Sequence, residues 1–300
     1  MTRCGFCAVV GRPNVGKSTF VNQVVGEKVT ITAKTPNTTR HIVRGIVTEG
    51  DTQIVFVDTP GLHRPRSALG GRLNETARAA FGDVEALIAM IEAGASIGPG
   101  DRAVIRTALS ACRGNDVLPI VAVNKVDRAS NETIVGQLLA AQSAVEQEAA
   151  EAGLTEVVAR VEYYPISGKT GEGVADVVEA VRAVMPDGPF MFPSDEVSDV
   201  AEATFVAELV REQLARKMRQ ELPHSIHCRV TEFNWPHVTV EILVERESQK
   251  GMVIGKHGAM LKDVGIAARR QLPEGCFLEL RVKVEPSWQQ REEILDRLGY

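Results

Sequence analysis

The chain has 300 residues, 44% of them hydrophobic and 24% charged, with a formal net charge of −5. A length close to two average domains and an ordinary apolar content mark a globular chain with real cores and exclude a disordered or collagen-like one. No apolar run approaches the roughly 18 residues of a membrane span, and five cysteines without a framework spacing argue against an extracellular disulfide scaffold.

Met1 to Cys4 lead directly into an apolar run, Phe6 to Val10, with no secretory pattern, so the cytoplasm is the expected location. That run suits a buried strand, and Lys17 to Val25 has helix-compatible composition. Between them stands Gly11-Arg12-Pro13-Asn14-Val15-Gly16-Lys17-Ser18, with Thr19 following, a complete phosphate-binding loop. Its backbone N–H groups and helix N-terminus tolerate dense negative charge, Lys17 is placed to reach β- and γ-phosphates, and the Ser18 hydroxyl to ligate Mg²⁺. Cys4 and Cys7 form a C-x-x-C. Residues three apart in a strand point to opposite faces, so neither a shared metal nor a disulfide is expected there.

A second apolar run, Ile54 to Val57, ends in Asp58-Thr59-Pro60-Gly61. Ligands of open α/β sheets bind at the carboxyl ends of strands. Asp58 is expected to hold the metal through water, and Gly61, without a side chain, can bring its N–H against a γ-phosphate. Many GTPases orient the attacking water with a glutamine at the next position, but here Leu62 stands and cannot do so.

A third run, Leu118 to Val123, ends in Asn124-Lys125-Val126-Asp127. The Asp127 carboxylate is suited to two hydrogen bonds from guanine N1 and N2, which adenine cannot supply, so an adenine nucleotide would leave a desolvated carboxylate unpaired. Asn124 is expected to bind the other side of the base and to tie loops together, and the Lys125 stem to cover the ring. After a strand-like Val161 to Pro165 comes Ser167-Gly168-Lys169, where the Gly168 N–H is the expected donor to guanine O6. Between Ile91 and Gly100, the stretch Glu92 to Pro99 acquires no function from the sequence.

Val174, Val177, Val178, Val181 and Val184 trace one face of a helix that closes the nucleotide domain, residues 1–185. Residues 186–200, rich in proline, glycine and acid, read as a linker. The second domain, 201–300, begins with a helix over 201–221 stopped at Leu222-Pro223. Strands over 225–233 and 237–247 follow as a hairpin, then Ile254-Gly255-Lys256-His257-Gly258, a helix over 259–272 and an alternating strand through Leu278, Leu280, Val282 and Val284. A Gly-x-x-Gly turn between helices lets a nucleic-acid backbone approach the main chain, as in KH domains. Residues 201–300 carry fifteen Lys plus Arg and fifteen Asp plus Glu. Only the edge formed by Lys250, Lys256, Lys262, Arg269 and Arg270, opposed by Asp263, is basic, and with His257 it is the expected RNA surface. His224, His227 and His237 lack the companion spacing of a metal site.

Taken together, the chain resembles the Era family, bacterial KH-containing GTPases of the Era/TrmE type associated with small-subunit ribosomal RNA. The resemblance rests on the phosphate loop, Thr38-Thr39-Arg40-His41, Asp58-Thr59-Pro60-Gly61-Leu62-His63, Glu221-Leu222-Pro223-His224-Ser225, and Ser248-Gln249-Lys250-Gly251 running into Ile254-Gly255. It implies an α/β fold, a Ras-like P-loop GTPase domain with a mixed, mostly parallel six-stranded sheet, followed by a type II KH α+β domain. It further implies GTP hydrolysis, expected to be slow because Leu62 cannot orient water, binding of GTP, GDP and Mg²⁺, and binding of 16S rRNA near its 3′ end during 30S subunit assembly. A monomer with peripheral membrane contact is the matching expectation, although no strongly amphipathic basic helix demands the membrane. Thr39 matches the threonine that closes over Mg²⁺ and the γ-phosphate, with Thr38 as the alternative one residue away. Asn14 matches the residue with which some relatives hold K⁺, so Lys17, Thr39, Gly61 and Asn14 form the implied catalytic set. A regulatory GTPase of RNA or membrane surfaces outside ribosome assembly is the alternative reading.

Overall fold

The computed structural model describes all residues except 34, 36, 37, 66 and 219–221. The order of elements is β1 (Arg3–Gly11), α1 (Lys17–Val25), β2 (Val43–Glu49), β3 (Thr52–Asp58), α2 (Ala68–Ala79), β4 (Ala86–Glu92), α3 (Pro99–Ala111), β5 (Leu118–Asn124), α4 (Asn131–Ala152), α5 (Thr155–Val158), β6 (Glu162–Ile166), α6 (Val174–Ala183), α7 (Glu202–Lys217), β7 (His227–Asn234), β8 (His237–Val244), α8 (Glu247–Ile254), α9 (Ala259–Arg269), β9 (Phe277–Val284) and α10 (Glu292–Arg297). These residues group into two compact units. The first comprises 1–30, 39–64 and 73–199, and the second 31–38, 65–72 and 200–300.

In the first unit six strands run in the order β2-β3-β1-β4-β5-β6. Only the β2–β3 pair is antiparallel, because the two-residue turn Gly50-Asp51 joins them, whereas helical crossovers join the rest in parallel. β3 and β4 read as nearly continuous apolar runs because both faces of a parallel sheet are covered. One face packs Val10, Leu87, Ala89, Val121 and Val123 against α3 and α4, and the other packs Val9, Phe56, Ile88 and Ile120 against α1 and α6. The mixed six-stranded sheet expected from the sequence is therefore observed. Its consequence for function is that β1, β3 and β5 end along one edge of the sheet, β3 beside β1 and β5 one strand further across β4, each leading into one of the three motifs.

Residues 186–199 carry no helix, yet they do not hang free of the first unit. The Gln53 side chain accepts from the Met191 and Phe192 N–H groups and donates to Phe192 O, and Ile46 N–H donates to Val197 O. Proline and acidic content in this stretch reflects an extended strap whose polar backbone is satisfied by a buried glutamine.

The second unit holds a three-stranded sheet, β7-β8-β9, with β8 and β9 parallel. α7, α8 and α9 cover one face with Val206, Val210, Leu214, Val253 and Val264. α7 stops at Lys217, and its sequence-expected extension through Glu221 lies outside the described residues. Adjacent charges on α7 are buried for a reason: Glu212 accepts the Thr32 N–H at 2.9 Å and Arg216 at 3.0 Å, and Arg211 donates to Thr38 O and Glu208. The carboxyl-terminal segment carried no signal in the sequence. Trp288 is wholly buried, donates to Ser225 O at 2.9 Å and stacks near Tyr300, whose hydroxyl meets His227 Nδ1 at 2.7 Å.

Candidate nucleotide and nucleic-acid sites

The phosphate loop emerges where β1 ends at Gly11 and α1 begins at Lys17. Gly16 precedes the helix at φ 112, no side chain caps that N-terminus, and no acidic residue stands in the first turn. The free N–H groups and helix dipole are thus left for an anion. Gly16 is required sterically as well, since a Cβ there would lie 2.2 Å from Asn124 Nδ2. Arg12, beside the loop, pairs with Asp101 at 3.0 Å. Asn14 is exposed with φ 64.

Lys17 is buried, with its ammonium donating to Gly11 O at 3.3 Å and Arg12 O at 3.2 Å. Burial lowers its pKa to about 8, against the opposing pull of Asp58. Burial likewise raises the Asp58 carboxyl above its ordinary range, opposed by Lys17 and by hydrogen bonds from Ser18, Thr30 and Thr39. Asp58 Oδ2 accepts from Thr39 Oγ1 at 3.1 Å and Thr30 Oγ1 at 3.0 Å, and Ser18 Oγ lies 2.8 Å from Thr39 Oγ1. Three hard oxygen donors therefore converge, and Asp58 Oδ1 is buried without a hydrogen-bond partner among the described residues. Such a donor set fits a small divalent cation, which takes oxygen ligands. Thr39, not Thr38, joins it, because the Thr38 hydroxyl donates to Thr35 O at 2.7 Å.

Gly61 lies against the phosphate loop, where a Cβ would meet Pro13 N at 2.7 Å, and Leu62 N–H donates to Gly11 O at 3.1 Å. The Thr59 hydroxyl is buried on Val9 O, which fixes the turn that carries Pro60. Leu62 packs on the apolar core, as its side chain dictates, and contributes no polar group.

At the end of β5, Asn124 is held on both sides. Its Nδ2 donates to Val15 O at 2.8 Å, and its Oδ1 accepts the Gly168 N–H at 2.9 Å. The Gly168 N–H, the expected donor to guanine O6, here ties two loops together, and the Lys169 N–H beyond it makes no hydrogen bond among the described residues. The Ser167 hydroxyl donates to Asp127 Oδ1 at 2.8 Å and accepts the Thr170 N–H, so it orients the carboxylate, whose other oxygen lies 3.7 Å from Arg128 Nε. Lys125 has φ 70 and its ammonium meets Glu92 Oε2 at 2.7 Å. Glu92, Asp101 and Thr30 contact Lys125, Arg12 and Asp58 of the expected site, and sequence reasoning missed them. Lone polar residues at strand and loop ends carry no spacing that could have singled them out.

In the second unit Gly255 and Gly258 have φ 73 and 77, and a Cβ at Gly255 would meet Met260 Cβ at 2.7 Å, so the turn between α8 and α9 needs glycine at its first position. Lys256, His257 and Lys262 are exposed around it, with Lys250 half-buried on α8, and none of the three lysines has an ion pair among the described residues. Arg269 and Arg270 are exposed at the far end of α9, about 16 Å along the axis at 1.5 Å per residue.

A sheet that presents a phosphate loop, a metal-binding carboxylate and a guanine-type edge at adjoining strand ends, followed by a KH fold, defines an RNA-binding GTPase. Residues 6–125 match the family model described as a 50S ribosome-binding GTPase, and residues 210–289 match that of the KH domain. GTPase Era of Mycobacterium tuberculosis is 42% identical, covering 99% of this chain and 98% of its own, and that of Mycobacterium avium is 40% identical, covering 99% of each. Among solved structures, Era in complex with MgGDPNP and nucleotides 1506–1542 of 16S ribosomal RNA superimposes with a TM-score of 0.87 at 31% identity, covering 100% of this chain and 99% of that one. A variant of Aquifex aeolicus Era bound to GDP.AlF4− gives 0.86 at 31%, with the same coverage. With full-length agreement of this kind in both sequence and structure, the chain belongs to the Era family of GTPases.

Proposed function

We propose that this chain binds GTP with Mg²⁺, hydrolyses it slowly, and binds 16S rRNA near its 3′ end through the KH domain during assembly of the 30S subunit, in the cytoplasm. The observation that carries the proposal is the full-length match to an Era bound at once to a magnesium nucleotide and to that RNA segment.

Lys17 and the N–H groups behind it grip the phosphates, exchanging backbone carbonyl partners for phosphate oxygens. Ser18, Thr39 and Asp58 would hold Mg²⁺, which would supply positive charge against the β- and γ-phosphates. Asp127, aimed by Ser167, takes guanine N1 and N2, and the Lys169 N–H takes O6. Because Leu62 cannot orient water, turnover is slow until another cation contributes; Asn14 is the proposed K⁺ ligand, and equal turnover in K⁺ and Na⁺ buffers would refute that role.

Nucleotide state is proposed to gate RNA binding. Supporting this, α7 of the KH fold holds the backbone at Thr32 and Thr38, and the next residue, Thr39, carries the hydroxyl beside Ser18 and Asp58. Sequencing RNA crosslinked to the protein in cells tests the target, with 16S rRNA 3′ fragments as the expected enrichment. Equal RNA affinity with GDP and with a GTP analogue would refute the gating, and no 16S enrichment would refute the target.

A further inference from the structure

We infer that Glu92 is a positioning residue for guanine binding, acting through Lys125, an inference that rests on the proposed placement of the base over that lysine. Glu92 ends β4 directly abreast of Asn124 on β5, and the Ala93 N–H donates to Asn124 O at 2.8 Å. Its backbone has little freedom. Gln137, a buried residue of α4, donates through Nε2 to Glu92 O at 2.9 Å and to Ala95 O at 2.8 Å. From this fixed point the carboxylate reaches the Lys125 ammonium at 2.7 Å.

Lys125 needs such a partner for two reasons. Its backbone sits at φ 70, ψ 35, the left-handed region that non-glycine residues occupy at a cost, and its four-carbon stem loses much rotamer freedom if it is to lie flat along a purine. As an ordinary ion pair, half-exposed Glu92 and Lys125 would contribute little to folding. Held across the mouth of the base site, the same contact orders the stem before the nucleotide arrives, so the ordering is not charged against binding. The carboxylate meets the ammonium end of that stem, so its effect is expected on the base and not on bond cleavage.

Measuring GDP and GTP-analogue binding to the full chain by stopped-flow fluorescence and calorimetry tests this, with Glu92→Ala, Glu92→Gln, Lys125→Ala and the double variant. The expected result for Glu92→Ala is weaker binding of both nucleotides by about three- to tenfold, expressed mostly as faster dissociation, with KM raised and kcat changed less than twofold. Glu92→Gln, which keeps an acceptor oxygen, recovers part of the loss. In the double variant the losses are not additive, since Glu92 has nothing to position once Lys125 is gone. Unchanged affinity in Glu92→Ala, additive losses, or a fall in kcat at constant KM overturns the inference. Should Glu92→Ala be destabilised, Glu92→Gln and its cycle with Lys125→Ala decide the matter alone. Failure of the unsubstituted chain to bind guanine nucleotide would overturn the functional reading itself, a different result from wild-type binding with an indifferent Glu92.

Discussion

Substituting Gly16 by alanine probes the junction on which the nucleotide site depends. The residue lies at φ 112, where an L side chain costs about 1–2 kcal/mol. The new Cβ would stand 2.2 Å from Asn124 Nδ2, and Asn124 is not a loose end that swings aside: it is 2% exposed and bonded to Val15 O and the Gly168 N–H. Moving it exposes two buried groups to loss of their partners, about 1–3 kcal/mol each. The sum, about 3–8 kcal/mol, is comparable with a typical domain's whole stability. A proper control is Gly153→Ala, whose φ is also positive, at 66, but whose Cβ would meet nothing within 4 Å. Thermal unfolding should place Gly16→Ala at least about 6 °C below wild type and Gly153→Ala about 2–8 °C below, with GDP affinity lost only in the former. If both variants lose equally little stability and both keep wild-type GDP affinity, the argument for a steric role at Gly16 is wrong.

Other consequences follow from individual contacts. Because burial lowers the Lys17 pKa to about 8 while phosphate binding requires the ammonium, GDP affinity should fall about fourfold from pH 7 to 8.5, with proton uptake in calorimetry. The sign for folding is opposite: a lysine depressed below its unfolded value costs stability below about pH 8, a cost relieved as pH rises towards about 10.5, so the nucleotide-free protein should gain from this group as it loses affinity; a flat affinity profile refutes both. Asp101→Ala removes the Arg12 pair and the acceptor of the Gly98 N–H at the start of α3, and should cost about 1–2 kcal/mol, whereas Asp101→Asn, keeping the cap, should cost less than 1 kcal/mol by urea denaturation. Lys256→Ala and Lys262→Ala should each weaken RNA binding and flatten the log affinity against log salt plot by about 0.7; an unchanged slope would remove them from the RNA surface.

Much of the first unit was legible because its function and its fold use the same residues. The apolar runs before Gly11, Asp58 and Asn124 had to be buried strands, since a parallel sheet covered on both faces leaves no room for alternation, and each motif followed a run. The second unit was read through alternation in β8 and β9 and through two glycines. The structure adds neighbours that composition does not report. Gln53, a buried side chain far away in sequence, satisfies the backbone of the proline- and acid-rich stretch at 186–199. Arg269 and Arg270 stand at the end of α9 away from the Gly-x-x-Gly turn.

From the order of its residues alone, this protein's chemistry was decided: which side chains can hold a triphosphate, prefer guanine and carry a Gly-x-x-Gly turn, because those demands act over a few residues and within one loop. Tertiary structure decided how each is held. Asn124 spends its amide on Val15 and Gly168, Ser167 aims Asp127, Asp58 faces Thr39 and Ser18, and Glu92 stands at Lys125. These partners lie from 19 to 109 positions apart along the chain. Contacts at that separation leave no local period or spacing in a sequence; they exist only once a sheet has set its strand ends side by side.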